Sequence, residues 1–137
     1  MLLTDKRIFV VEDNVAYANI LMTALQMQGA QTYFDRWGTH TINRLLQLGH
    51  IDIILMDLML ANNISGYDVF DEIQAIPELS TIPVVVVSAS DATLEMDKCR
   101  KKGFAGFISK PISLKTLPQT IARVLTGTPV WADEGIY

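Results

Sequence analysis

Asp57 closes the apolar run Ile53-Ile54-Leu55-Met56, and a carboxylate at that place constrains the fold more than any other residue. A strand so uniformly apolar has no wet face. It must lie in a sheet covered on both sides, with its charge emerging at an end. Three further runs follow the same rule: Ile8-Phe9-Val10-Val11 leads to Glu12-Asp13, Val84-Val85-Val86-Val87 to Ser88, and Gly106-Phe107-Ile108-Ser109 to Lys110. Four strands therefore bring polar chemistry to one edge.

Helical patterns separate the runs. Asn14 is a cap for a helix reaching about Gln28, with Ile20, Leu21, Ala24 and Leu25 on one stripe and Gly29 as its stop. Ala30 to Phe34 reads as a short strand, and Thr39 to Leu48 as a weaker helix stopped by Gly49. Further helices are expected from Gly66 to Ala75, from the cap Asp91 to Gly103, and after Pro111 to about Leu125, with Pro118 shifting the last start towards Thr116. This alternation predicts the α/β class, a doubly wound five-stranded parallel sheet whose ligands bind beyond the carboxyl ends of the strands. We expect one domain over residues 1–126. The tail over 127–137, with Pro129, Trp131 and Tyr137, either packs back on the body or contacts a partner.

Several classes are excluded at this stage. The apolar runs are too short to span a bilayer and the start lacks the order of a secretory leader, so a cytoplasmic protein with no membrane contact is expected. Cys99 is the single cysteine, which rules out an internal disulfide and a cysteine-cluster metal site; it reads as a packed or half-exposed thiol. A formal net charge of -4 argues against direct nucleic-acid binding. Met22, Met27, Met56, Met59 and Met96 read as packing residues, and His40 and His50 stand apart from the acids. Lys98, Arg100, Lys101 and Lys102 suit the negative end of a helix.

Glu12, Asp13 and Asp57 in one cleft would repel each other and raise their pKa values unless a cation compensates. Oxygen donors without His or Cys suit a hard cation, with magnesium the leading candidate. With that cation and Lys110 screening its charge, Asp57 can act as a nucleophile towards phosphorus. Phosphoryl transfer asks mainly for alignment and charge stabilisation, to which the Ser88 hydroxyl can add.

In order and spacing, Val10-Val11-Glu12-Asp13-Asn14, Leu55-Met56-Asp57-Leu58-Met59, Val87-Ser88-Ala89 and Ser109-Lys110-Pro111 resemble the receiver domains of two-component response regulators, including the single-domain chemotaxis CheY-like proteins. The resemblance runs from about Arg7 to Leu125 and implies a flavodoxin-like sheet of strand order 2-1-3-4-5. It implies Asp57 as phosphoacceptor, Glu12 and Asp13 as magnesium ligands with Met59 adding its backbone carbonyl, and Lys110 and Ser88 as partners of the phosphoryl group. Ser88 and Phe107 would form the conformational switch, and Lys110-Pro111 would be cis. The donor would be a histidine kinase or histidine phosphotransfer protein, and the fourth helix, fifth strand and fifth helix would meet a downstream target. Residues at the positions of Met59 and Ser90 would tune water access to the acyl phosphate. The protein would be a signalling switch that catalyses only its own phosphorylation and dephosphorylation. One departure is local: Ala61 and Ser65 stand where the family often has Pro and Gly, and Gly66 follows one residue late, so the loop carries an extra residue.

Two other readings compete. A phosphorylation-independent binding or dimerisation module would use the same fold without the acids. A phosphohydrolase with an aspartyl nucleophile commonly has a second acid two residues on, where this chain has Met59.

Overall fold

The computed structural model describes residues 1–89 and 91–131, so Ser90 and the tail from 132 onward lie outside the described residues. Its strands are β1 (Arg7–Val11), β2 (Gln31–Asp35), β3 (Ile53–Met56), β4 (Val84–Ser88), β5 (Gly106–Ser109) and β6 (Val130–Trp131). Its α-helices are α1 (Val15–Gln26), α2 (Thr41–Leu48), α3 (Gly66–Gln74), α4 (Ala92–Lys102) and α5 (Leu117–Leu125). All strand pairs are parallel, in the order β2-β1-β3-β4-β5-β6.

The expected sheet of five strands is thus corrected to six. The tail supplies the extra strand, and the expectation that it packs back on the body holds for Val130 and Trp131. Two residues were too few to register as a strand by periodicity. The turn that feeds them is local: Gly127, at φ 94°, donates its amide to Val124 O at 3.0 Å, and Thr128 donates to Arg123 O at 3.0 Å. These two bonds satisfy the last carbonyls of α5 and reverse the chain.

The strand alternation builds two cores. Ile8, Val10, Ile53, Leu55, Val85 and Val87 face α1 and α5, where Leu21, Leu25, Leu117 and Ile121 meet them. Phe9, Val11, Ile54, Met56, Val84 and Val86 face the other layer, with Leu45, Val69, Phe70, Ile73, Met96 and Cys99. Burying each large side chain contributes about 1.5–3 kcal/mol relative to exposure. The α1 stripe differs from expectation: Ala18, Leu21, Met22 and Leu25 are its buried residues, while Ile20 is exposed. Met27 and Met59 are exposed as well, so the packing role holds only for Met22, Met56 and Met96.

The helix ends explain why the carboxyl edge is well defined. Asn14 accepts from the Tyr17 amide, Ser65 from Tyr67 and Asp91 from Thr93, each at the start of a helix on that edge. Asp35, at the end of β2, is 5% exposed and accepts from the amides of Trp37 and His40 and from the Thr41 hydroxyl. Pro118 sits in the first turn of α5, with Thr116 before it, as the sequence requires. The extra residue of the β3–α3 loop is absorbed by Asn62 and Asn63, both with positive φ, while Met59 and Ser65 bridge the loop's base. Gly66 is fixed there because a Cβ would lie 2.2 Å from the Asp57 carbonyl oxygen.

Candidate functional site

Five parallel strands ending at similar height place Glu12, Asp13, Asp35, Asp57, Ser88 and Lys110 along one edge. Asp57 follows β3 directly, and its amide donates to Val11 O at 3.0 Å, which ties it to the strand that delivers Glu12. Lys110 follows β5, and its amide donates to Ser88 O at 2.9 Å. Its peptide bond to Pro111 is cis.

The side chains meet above the sheet. Lys110 Nζ donates to Glu12 Oε1 at 2.6 Å and to Asp57 Oδ2 at 3.2 Å, while lying 4.7 Å from the centre of the Tyr17 ring. Glu12 Oε2 accepts from the Asn14 amide at 3.1 Å, and Asp57 Oδ1 from the Met59 amide at 3.2 Å. Glu12 is 2% exposed and Asp57 6% exposed, with Asp13 half-buried beside them. One carboxylate oxygen from each of Glu12, Asp13 and Asp57 lies within 4.8 Å of the others. Three acids therefore face one lysine.

That imbalance has an electrostatic signature. Burial pushes the Glu12 carboxyl up to about 7, against the pull of Lys110 and the Asn14 amide, and the Asp57 charge adds to the rise. Burial alone would lower Lys110, but its bond to Glu12 and the charge on Asp57 outweigh this and raise it. An all-oxygen donor set with surplus negative charge fits a divalent hard cation. Such an ion would neutralise charge on the acids and on any phosphate that approaches them.

The other residues singled out in the sequence take separate places. Ser88 ends β4, 1% exposed and paired in register with Ser109. Phe107 is fully buried on β5, in register with Val86 and Trp131. Met59 is 72% exposed. Cys99 is packed and 0% exposed. The basic run of α4 is partly structural: Lys102 pairs with Asp71 at 2.8 Å, and Lys98 lies 4.0 Å from the centre of the Tyr67 ring.

Three contributors were not singled out in the sequence. Tyr17 underlies Lys110, and its hydroxyl accepts from the Ile112 amide at 3.3 Å. No pattern marks it beyond its place in the first turn of α1. Asp35 was visible as a fourth acid, at the end of the short strand that the sequence predicts after Gly29. Tyr67 binds α3 to α4 by donating its hydroxyl to Glu95, and nothing local announces that pairing.

Comparison with known proteins agrees with this geometry. Residues 8–122 match the response regulator receiver domain family. A polar-differentiation response regulator, DivK of Brucella ovis, is 32% identical over 120 residues, covering 88% of this chain and 96% of that protein. Among solved structures, the phosphorylated cyanobacterial phytochrome response regulator RcpA is 30% identical, with a TM-score of 0.72 over 88% of this chain and 90% of that one. The chemotaxis response regulator CheY4 of Vibrio cholerae shares the fold, with a TM-score of 0.79 at 18% identity, over 88% of this chain and 99% of that one.

Proposed function

Because the chain belongs to the response regulator receiver domains, the phosphoacceptors of two-component signalling, we propose that it takes a phosphoryl group onto Asp57 with magnesium held by Glu12, Asp13 and Asp57. The observation that carries this reading is the convergence of Lys110 on both Glu12 and Asp57, at 2.6 and 3.2 Å, beside an acidic trio. One Asp57 Oδ attacks phosphorus as the bond to the donor's histidine nitrogen breaks, and that imidazole leaves with the electron pair and takes a proton from solvent. Lys110 then pairs with the phosphoryl oxygens. The Met59 amide keeps the second Asp57 oxygen in place, and the Met59 carbonyl joins the metal ligands. The bound ion supplies charge neutralisation between acids and phosphate.

Receiver domains interact with histidine kinases or phosphotransfer proteins and with downstream targets. For this chain we assign the output to Ser88 and Phe107, with the target meeting the face between α4 and α5. That face includes β6 as well as β5. The switch is centred on residues 1–126, and Val130 and Trp131 add its edge strand. Dephosphorylation is the protein's own reaction, by attack of water on the acyl phosphate. Among the described residues no helix is long and apolar enough to cross a membrane. A cytoplasmic protein acting without direct nucleic-acid contact completes the reading.

Incubation with a small phosphoryl donor and magnesium should give a base-labile phosphoryl group that mass spectrometry locates on Asp57. Modification elsewhere, or none in the folded protein, would overturn the assignment.

A further inference from the structure

We propose that β6 presets the switch: Trp131 holds Phe107 in its buried position and thereby favours the phosphorylated state of Asp57. The proposal rests on the reading of Phe107 as switch aromatic and adds a regulator of it. In a sheet ending at β5, the flank of Phe107 away from β4 would face solvent. Here β6 lies along that flank, with Phe107 and Trp131 in register and therefore on the same sheet face.

Three observations show that the strand is built in. Val130 is 0% and Trp131 8% exposed, and they enter opposite cores, so β6 has the alternation of a buried strand. Gly106 permits its approach, because a Cβ there would lie 2.5 Å from Val130 O. The Arg100 guanidinium of α4 lies 4.8 Å from the centre of the Trp131 ring and clamps it from above.

The energetic consequence follows from linkage. An outward Phe107 has to displace Trp131 from its packing, so β6 disfavours that placement. A phosphoryl group that draws Ser88 towards it favours the inward placement as well. Two influences that favour one state reinforce each other, and each must raise the apparent affinity for the other.

The test uses the full chain, saturating magnesium and beryllofluoride as the phosphoryl mimic, with affinity read from amide resonances. Trp131→Ala should weaken binding about fivefold or more. In a Phe107→Ala background the same substitution should have no effect, because the residue through which it acts is gone. Equal or tighter binding by a folded Trp131→Ala protein overturns the proposal, as does an undiminished effect in the Phe107→Ala background. If Trp131→Ala does not fold, Arg100→Ala removes the clamp from a partly exposed position and should weaken binding about twofold, with no change again overturning the proposal. Failure of the wild type itself to bind beryllofluoride would instead sink the assignment of Asp57, and the proposal with it.

Discussion

The two ends of β1 both carry charge, and they use it differently. At the amino end, the Arg7 amide donates to Asp52 Oδ2 at 2.8 Å, while its guanidinium donates to the carbonyls of Leu48 and His50 and to the Tyr33 hydroxyl. His50 completes the arrangement at 2.8 Å from Asp52 Oδ1. This end joins the start of β1 to β2, β3 and the exit of α2, and Asp52 is matched by partners on both oxygens. At the carboxyl end, one lysine is shared among acids that outnumber it. A matched cluster fixes structure, whereas a surplus of one sign is relieved by a proton, as on Glu12, or by a ligand that completes it.

The largest effect that can break this comparison is the loss of the nucleophile. Asp57→Asn should cut phosphoryl incorporation at least ~100-fold, measured by mass spectrometry after reaction with a small donor. The same change removes one of three mutually repelling carboxylates, so the urea midpoint without magnesium should not fall. A variant that still incorporates phosphoryl at the wild-type rate would place the acceptor elsewhere.

The opposite pattern is expected at the amino end. Arg7→Ala strips several partly buried acceptors of their donor and should lower unfolding stability by about 2–3 kcal/mol. Phosphorylation of the folded fraction should be unchanged. If stability holds and phosphorylation drops, the division into a structural and a chemical end is wrong.

How far the sequence announced this division depends on whether each interaction is local. Asp57, Glu12, Asp13 and Lys110 were legible because each ends an apolar strand, a signal contained in five or six consecutive residues. The caps Asn14 and Asp91 and the displaced start of α5 at Pro118 were legible for the same reason. Arg7 carried no such local signal, since its partners come from β2, β3 and the exit of α2. The two-residue β6 was hidden because its alternation is too short to count, and its support comes from Gly106 and Arg100. Parallel pairing joins residues distant in sequence, so a short strand at the edge leaves little periodic trace.

Acidity sharpens the contrast, because the two ends respond with opposite sign. Glu12 is raised by burial from its ordinary 4.5 to about 7, so in metal-free protein it adds stability below 4.5 that is lost as pH rises through 7. Magnesium needs the ionised form, and its affinity should fall about tenfold per pH unit below 7 as a proton competes. Calorimetric titration across that range checks the slope. An affinity flat from pH 5 to 8 would mean that Glu12 is ionised throughout or is no ligand.

The smallest effect belongs to His50. Burial would raise Asp52, but the Arg7 amide and His50 outweigh it and hold the carboxyl below its ordinary 3.8. Asp52 therefore contributes stability above 3.8 that is lost as pH falls through its lower native value. The His50 side chain is 73% exposed, and a polar contact so open to solvent is worth little. His50→Ala should cost under about 1 kcal/mol near neutrality, read from urea unfolding, because the Arg7 amide still holds Asp52. The difference should vanish in acid once Asp52 is protonated. A loss as large as that of Arg7→Ala would show that the exposed pair, and not the guanidinium bridging Leu48, His50 and Tyr33, fastens this end of the sheet.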